Sequence, residues 1–228
     1  LQAVIFDFDG VIVDTEPLHW RAFSETLRGD GLSFTWEEYT SLYIGFDDRD
    51  AFREVFQRAV KPLSPDRLAA LIRRKADAFQ HLISAEPPKP YPGVLTLLCE
   101  ISGQLPLALC SGALRSDIQP VLERLSPGSL FDVIVTAEDV PASKPDPACY
   151  RRALEMLNVG RSSNIPPSGC LAVEDTAAGI ASAKGAGMRV LAVTSSHPPQ
   201  ELALSDRVTD SLAGVSLNDL RILFGGLR

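Results

Sequence analysis

The stretch AVIFDFDGVIVDTEPLH, residues 3–19, joins an apolar run typical of a buried strand to a group of acidic residues. Its four carboxylates are Asp7, Asp9, Asp14 and Glu16. Asp7 and Asp9 are two positions apart in extended chain, so both side chains are predicted to point to one side of the strand's carboxyl end. Carboxylates this close repel one another and resist burial unless a cation is present. The stretch therefore predicts a buried strand that ends at a cation-binding edge.

Four more short apolar segments have strand character. With the first, the predicted strands are 2–7, 105–110, 131–136, 169–174 and 189–193. Amphipathic segments with turn signals lie next to most of them and predict helices within 92–102, 114–125, 146–157 and 176–187. This alternation predicts an α/β fold, a Rossmann-like, doubly wound parallel sheet with helices on both faces.

Residues 15–90 differ, because no convincing strand occurs there and apolar side chains recur at helical spacing. Within 47–60 and 65–83 the predicted apolar faces are Phe52, Val55, Phe56 and Ala59, then Leu68, Leu71, Ile72, Phe79 and Leu82. The proline-dense stretch EPPKPYPGV, residues 86–94, predicts a stiff return linker. We therefore predict a helical cap domain at 15–90, inserted into a core domain of residues 1–14 and 91–228.

The composition excludes several partners. A net charge of −7 over 228 residues argues against a nucleic-acid surface, since such affinity depends on clustered Lys and Arg. No apolar run approaches the ~20 residues that cross a bilayer, and no signal or transit peptide is visible, so we expect no membrane partner and a cytoplasmic location. The cysteines have no CxxC spacing and are predicted to be buried, reduced thiols: Cys99, Cys110, Cys149 and Cys170.

Polar residues follow four of the predicted strands, at the edge where open α/β sheets bind ligands. They are Asp7 with Asp9, Ser111 with Gly112, Lys144 within SKPDP, and Glu174 with Asp175. Oxygen-only ligands suit Mg²⁺, which leaves a position for a phosphate oxygen. Lys144 and Ser111 would then bind that phosphate. An aspartate that attacks phosphorus, with the metal and the lysine cancelling the anionic repulsion, would form an aspartyl-phosphate.

A purely structural role fits these strand-end residues less well. A single aspartate after a strand is usually a turn or capping residue, but that role does not account for all four clusters at successive strand ends. An EF-hand loop counted from Asp7 is excluded, because Val11, Ile12 and Leu18 occupy positions that need oxygen ligands or glycine. No Walker loop, GxSxG or HExxH motif occurs, which removes the commonest competing hydrolases.

Four motifs carry a family resemblance: DFDGV at 7–11, CSG at 110–112, SKPDP at 143–147 and VEDTAAG at 173–179. In this order they resemble the motifs of the haloacid dehalogenase-like superfamily. The similarity is to the branch with a helical cap between the first two motifs, which includes β-phosphoglucomutase, phosphoglycolate phosphatase and sugar-phosphate phosphatases.

The resemblance implies a role for each motif residue. Asp7 would be the nucleophile and Asp9 the general acid and base, with the backbone carbonyl of Asp9 also on the metal. Asp175 would bind Mg²⁺ directly and Glu174 through a water. Ser111 and Lys144 would hold the transferring phosphoryl group, with Gly112 beside the substrate.

The segment 15–90 contributes further candidates. Thr15 marks a helix start, and the predicted buried stripe is Leu18, Ala22, Phe23 and Leu27. His19 and Lys75 resemble cap residues of the same branch, and Glu16 lies beside His19 near the hinge. In IGFDDRDAFRE, residues 44–54, Arg49 is a candidate for binding a second anionic group of the substrate.

The resemblance implies a Mg²⁺-dependent phosphoric monoester hydrolase that acts on a small phosphorylated metabolite, such as a sugar phosphate, as a monomer or small homo-oligomer. Segments 44–54 and 111–117 depart from the mutase pattern, so we favour hydrolysis over a β-phosphoglucomutase-like phosphomutase. A non-catalytic phosphate-binding module is the third hypothesis, against which the retained site residues argue. Helix-cap or solvated roles are predicted for Asp139, Asp146, Arg115 and His197.

Overall fold

The computed structural model describes residues 1–44, 46–125 and 130–226. Gly45, within the stretch 44–54 that contains the candidate Arg49, thus lies outside the described residues. The strands are β1 (Ala3–Phe6), β2 (Leu107–Cys110), β3 (Val133–Val135), β4 (Cys170–Glu174), β5 (Arg189–Val193) and β6 (Arg207–Thr209). The α-helices are α1 (Glu16–Leu27), α2 (Trp36–Leu42), α3 (Asp48–Arg58), α4 (Pro65–Ala85), α5 (Val94–Ile101), α6 (Arg115–Leu125), α7 (Ala148–Asn158), α8 (Ala177–Gly185) and α9 (Leu217–Gly226).

The six strands form one parallel sheet in the order β3-β2-β1-β4-β5-β6. This confirms the predicted α/β fold class. The chain builds outward from β1 to β3 and then returns to place β4 on the other side of β1. The crevice between the carboxyl ends of β1 and β4 is therefore the topological switch point, where ligands bind in open sheets.

The central strands are buried on both faces, which explains their continuous apolar sequence. Alternate residues of β1 point to opposite faces of the sheet. Val4 and Phe6 join the apolar cluster on one face, whereas Ala3 and Ile5 join the cluster on the other. The two clusters hold the sheet as a rigid layer beneath its carboxyl edge.

Helices α1 to α4 share a third apolar cluster that includes Phe23, Phe52 and Leu71. Their boundaries follow from capping: Thr35 and Glu38 form a capping box at α2, and Ser64 caps α4. The predicted faces are largely correct. Ala59 is exposed instead of buried, because α3 ends at Arg58 and the next residue leaves the helical face.

The helical segment also packs directly on the sheet layer. Leu18, Phe79 and Ile83, from α1 and α4, belong to the same apolar cluster as one face of the sheet. The chain leaves and re-enters side by side, since Val13 and Pro90 form an isolated antiparallel bridge. The exact boundary of a separate cap domain at 15–90 stays a prediction.

Several features differ from expectation. Helix α2, strand β6 and helix α9 were not predicted, although Leu217, Leu220 and Phe224 in α9 have helical spacing.

The burial of the cysteines was predicted for all four. Cys110, Cys149 and Cys170 are buried, whereas the prediction is wrong for the exposed Cys99. The reason is helix rotation: α5 turns Leu97, Leu98 and Ile101 toward the core, so Cys99 lies on its outer face.

Within the ranges that the structure describes, no helix is both long and apolar enough to cross a membrane.

Candidate active site

Three strand ends meet at Lys144, which comes from the loop after β3. Its Nζ donates to Asp7 Oδ1 at 2.8 Å and to Glu174 Oε1 at 2.6 Å. The carbonyl of Cys110, the last residue of β2, accepts a third bond at 3.3 Å. Tyr150 also donates to Glu174 Oε1, at 2.6 Å. The lysine thus ties the carboxyl ends of β1, β2 and β4 together.

Asp7, Glu174 and Asp175 form a buried group of oxygen ligands. Each offers one carboxylate oxygen, and these atoms all lie within 4.8 Å of one another. Asp175 Oδ1 is buried and has no hydrogen-bond partner among the described residues. Hard oxygen donors and an unpartnered carboxylate oxygen fit a divalent cation such as Mg²⁺. The residues present therefore fit the metal that the sequence predicts.

The electrostatics of this group also favour a cation. Burial, followed by repulsion from Glu174, raises the pKa of Asp7 to about 8 despite the ammonium of Lys144. Burial and the neighbouring Asp7 raise the pKa of Asp175 well above its ordinary value. Burial lowers the pKa of Lys144, but the two carboxylates outweigh it and raise that pKa well above its usual range. A divalent cation would relieve the repulsion that causes these shifts.

Two glycines allow the backbone to approach these carboxylates. Gly10 has φ +77°, and a Cβ there would overlap Asp175 Oδ2. A Cβ on Gly179, in the first turn of α8, would overlap the carboxylate of Glu174. Both glycines lie in the quoted motifs, but the sequence reasoning assigned them no role. They are required because the carboxylates occupy the space that a side chain would fill.

Asp9 faces the helical segment rather than the three-carboxylate group. Its Oδ1 accepts from Thr15 Oγ1 and lies 3.4 Å from His19 Nε2, while Ser111 Oγ lies 3.5 Å from its Oδ2. Burial raises the pKa of Asp9, but the contacts with His19 and Thr15 reverse the effect and lower it. The carboxylate is therefore the favoured form. Asp7 and Asp9 line the same cleft, as predicted.

A polar chain connects α4 to Asp9. Lys75 Nζ lies 2.7 Å from His19 Nδ1 and 2.8 Å from Asp48 Oδ1. An ammonium group only donates hydrogen bonds, so Nδ1 must accept and the proton of neutral His19 lies on Nε2, which faces Asp9. The imidazole also stacks on Phe79, with ring centroids 4.0 Å apart. The structure thus brings His19 and Lys75, two separately predicted candidates, into contact.

The cleft lies between the sheet edge and the helical segment and has a volume of about 70 Å³. From the core, its lining residues are Asp7, Asp9, Gly112, Ala113, Ser143, Lys144 and Thr176. From the helical segment they are Glu16, His19, Phe23, Tyr39, Phe46, Asp47 and Asp48. Glu16 accepts from the hydroxyl of Tyr39, and burial raises its pKa. The two walls therefore approach each other closely.

The sequence predicts that Arg49 binds an anionic group of the substrate, but the structure pairs its guanidinium with a neighbouring carboxylate. Its Nε donates to Asp47 Oδ2 at 3.0 Å, and the structure does not place Arg49 among the described residues that line the cleft. Asp47 also caps α3 through the N–H of Asp50 and accepts from Ser143 Oγ of the core. The pair Asp47–Ser143 therefore joins the helical segment to the loop that carries Lys144.

The remaining sequence candidates lie outside the cleft. Arg115 pairs with Asp139 at 3.0 Å, Asp146 accepts from the N–H of Ala148, and His197 contacts Glu201 at 2.9 Å. These surface pairs and caps agree with the structural roles predicted for them.

Sequence reasoning missed side chains that bond the three-carboxylate group. Tyr150 bonds Glu174 from α7, and Ser196 Oγ donates to Asp175 Oδ2. The position of Ser196 just beyond the carboxyl end of β5 was an available signal. Tyr150 had no such signal, because its spacing matches the apolar face of α7.

Comparisons with known proteins agree with this geometry. The chain is 32% identical over 190 residues to a phosphorylated carbohydrates phosphatase of Thermotoga maritima, covering 82% of each chain. It is 30% identical over 216 residues to the β-phosphoglucomutase of Bacillus subtilis, covering 93% of this chain and 92% of that protein. A crystal structure of a variant of CbbY from Rhodobacter sphaeroides in complex with xylulose-1,5-bisphosphate superimposes with a TM-score of 0.84 at 30% identity, covering 96% of this chain and 99% of that one.

The pattern that defines haloacid dehalogenase-like hydrolases matches residues 4–193, which include the four motifs and both walls of the cleft. The match extends over most of the chain, and the sheet order places its motif residues at one edge. The chain belongs to the haloacid dehalogenase-like hydrolase family.

Proposed function

We propose that this protein is a Mg²⁺-dependent phosphatase that hydrolyses a small phosphorylated metabolite through an aspartyl-phosphate on Asp7. The observation that carries the proposal is the position of Lys144 Nζ, 2.8 Å from Asp7 Oδ1 within a buried three-carboxylate group. This arrangement neutralises a nucleophile and an anionic substrate at one point. The relatives named as a phosphatase and a sugar phosphomutase support phosphoryl chemistry.

Asp7, Asp175 and the carbonyl of Asp9 would hold the metal, with Glu174 acting through a water. When bound, Mg²⁺ supplies positive charge for the phosphoryl oxygens and the Asp7 carboxylate. Lys144 and Ser111 would also hold the phosphoryl oxygens.

The reaction then has two steps. An oxygen of Asp7 attacks phosphorus, the bond from phosphorus to the leaving oxygen breaks, and Asp9 gives that oxygen the proton that it took from water in the preceding turnover. Water then attacks the aspartyl-phosphate, its proton passes to Asp9, and the bond between phosphorus and Asp7 breaks. The lowered pKa of Asp9 favours the carboxylate, the form that accepts the proton of water in the second step.

The helical segment 15–90 acts as a cap in this proposal. Contacts across the cleft, such as that of His19 with Asp9, hold the cap against the core, so entry of a sugar phosphate would require the cap to move away. Closure brings His19 and Glu16 back over the site. The hydrogen bond between Ser143 and Asp47 supports the closed position, because it joins the cap to the residue before Lys144.

We propose a cytoplasmic enzyme that acts as a monomer or small homo-oligomer. The four free thiols support a reducing compartment. The negative net charge supports a small substrate held by local cations over a nucleic acid.

The test is release of inorganic phosphate from a panel of sugar, polyol, nucleotide and carboxylic-acid phosphates, with and without Mg²⁺. We expect Mg²⁺-dependent release that falls by about a thousandfold or more in Asp7→Asn. Asp14→Asn is the matched control, since Asp14 is exposed and lies in the same stretch. Unchanged release from a folded Asp7→Asn protein would overturn the mechanism.

A sugar phosphomutase is the second candidate, favoured by the 30% identity with the β-phosphoglucomutase of Bacillus subtilis. Formation of glucose 6-phosphate from β-glucose 1-phosphate without free phosphate would establish it. Tight sugar-phosphate binding with neither product would instead indicate the non-catalytic binding module.

A further inference from the structure

Two cationic side chains of the cap, Lys75 and Arg49, are each paired with a carboxylate that lines the cleft. Lys75 is buried, with 1% of its side chain exposed, and its Nζ lies 2.8 Å from Asp48 Oδ1. The guanidinium of Arg49 donates to Asp47. Asp47 and Asp48 line the cleft, whereas neither cation is among its described lining residues. A substrate in the cleft thus meets the carboxylates first.

Asp48 has remaining capacity to accept a hydrogen bond. Its Oδ1 is paired with Lys75, but its Oδ2 is buried and has no hydrogen-bond partner within the described ranges. A buried carboxylate oxygen without a donor is unfavourable by itself. A hydroxyl or ammonium group of a bound substrate would supply the missing donor.

The rest of the cap wall is polar and aromatic rather than cationic. Phe23, Tyr39 and Phe46 line it, and Phe46 keeps 48% of its surface exposed. Glu16 adds another acceptor beside Tyr39. Aromatic faces and oxygen acceptors suit a carbon chain that carries hydroxyl or amino groups.

We infer that the end of the substrate remote from the transferring phosphoryl group carries neutral or cationic hydrogen-bond donors and no second phosphate, with Asp48 as the specificity-determining residue. The inference rests on the proposed function and narrows its substrate class to monophosphates. It sets this protein apart from the CbbY variant whose crystal structure holds a bisphosphate.

Coulomb's law gives the size of the expected preference for monophosphates over bisphosphates. A phosphate dianion about 6 Å from one carboxylate is repelled enough, even at the dielectric constant of water, to weaken binding about tenfold. Burial lowers the effective dielectric constant and increases this factor. Lys75 offsets part of the repulsion, so wild-type enzyme should prefer a monophosphate over the matched bisphosphate by about two- to tenfold in kcat/KM.

The experiment uses two substrate pairs: glucose 6-phosphate with glucose 1,6-bisphosphate, and xylulose 5-phosphate with xylulose 1,5-bisphosphate. Phosphate release is measured for wild type, Asp48→Asn and Asp50→Asn. Asp50 is the matched control, because it lies in the same turn of α3, carries the same charge and pairs with Arg53 at the surface. We expect Asp48→Asn to reduce the preference about tenfold and Asp50→Asn to leave it unchanged.

Dissociation constants for the same compounds are also measured with Asp7→Asn and Mg²⁺, so that the selection is tested without turnover. Absence of phosphate release from these compounds and from the wider panel would overturn the proposed function, while the binding ratio would still test the inference. Equal or tighter binding of bisphosphates would overturn the inference and leave the phosphatase mechanism standing. If Asp48→Asn does not fold, the preference of the wild-type protein for monophosphates over bisphosphates tests the inference by itself.

Discussion

Lys144 Nζ donates to Glu174 Oε1 across 2.6 Å, at a point where the glutamate side chain is fully buried. The same ammonium bonds Asp7. A buried ion pair contributes little to the net stability of the fold, but removal of one partner leaves an uncompensated charge inside the protein. Lys144 therefore stabilises the folded sheet edge, and in the proposed mechanism it would also provide positive charge for the phosphoryl group.

Replacement Lys144→Met should abolish phosphate release and lower the free energy of unfolding by about 3–5 kcal/mol, because Asp7 and Glu174 lose their shared counter-ion. Urea unfolding without Mg²⁺ measures the stability. Lys184→Met is the control, since Lys184 forms a partly exposed pair with Asp206 and should change stability by about 1 kcal/mol or less. Equal effects of the two substitutions would contradict this account.

Magnesium should stabilise the protein independently of turnover. Binding to the folded state alone adds about 2.7 kcal/mol at a metal concentration a hundredfold above its dissociation constant. We expect Mg²⁺ to raise the melting temperature of wild type, and Asp175→Asn to lose most of this rise, because the unpartnered Oδ1 is a predicted metal ligand. Asp14→Asn should retain the rise. A Mg²⁺-dependent rise in Asp175→Asn equal to that of wild type would count against the site.

Gly179→Ala should weaken Mg²⁺ activation about 10–100-fold, because the added Cβ overlaps the carboxylate of Glu174 and displaces it from Lys144 and Tyr150. Titration of phosphate release against Mg²⁺ measures the effect. Gly225→Ala is the matched control, since Gly225 is also helical but has open space around its Cα. It should be neutral or stabilising by up to about 1 kcal/mol. Normal Mg²⁺ activation of Gly179→Ala would show that Glu174 tolerates displacement.

Loss of the amine in Lys75→Met should reduce kcat about 10–100-fold, because His19 is no longer held with its proton on Nε2 and the contact with Asp9 weakens. The pH profile of kcat separates this role from a structural one, since the apparent pKa assigned to Asp9 should rise once the His19 donor is lost. Lys61→Met, which removes an exposed cap lysine, should change neither quantity. An unchanged pH profile in Lys75→Met would argue against the positioning role.

Asp206 predicts a pH-dependent contribution to stability. Burial opposes its ionisation, but hydrogen bonds from Lys184 and the N–H of Val190 outweigh this and lower its pKa. Its contribution is therefore present above the unfolded pKa of about 3.9 and is lost as pH falls through the folded value. Asp206→Asn should destabilise by about 1 kcal/mol at neutral pH, with a smaller difference near pH 3. Urea unfolding at both pH values provides the check.

The sheet and the core half of the site could be predicted because their signals are local. Five strands appear as short apolar runs, and the residues after them are polar. Since parallel strands place their carboxyl ends at one edge, chain order alone brings Asp7, Ser111, Lys144 and Glu174 together. Strand β6 escaped prediction because its three partly exposed residues carry no apolar run.

The half of the site that the helical segment 15–90 contributes could not be predicted in the same way. On a helix, one residue turns a side chain by about 100°, and this rotation places Asp48 at the cleft and Arg49 against Asp47. The pairing of His19 with Lys75 joins residues on two helices far apart in the chain. Such partners depend on how the helices are rotated and packed, and local sequence does not encode that angle.

The sequence by itself determined the α/β class, the positions of the motifs at successive strand ends and the acidic group after β1 and β4, because apolar periodicity and parallel-strand geometry leave little freedom. The tertiary structure decided which cations reach the cleft, and which glycines must lack a side chain beside a carboxylate. Those features depend on contacts of a few ångströms between distant segments, which arise only when both walls of the cleft are packed.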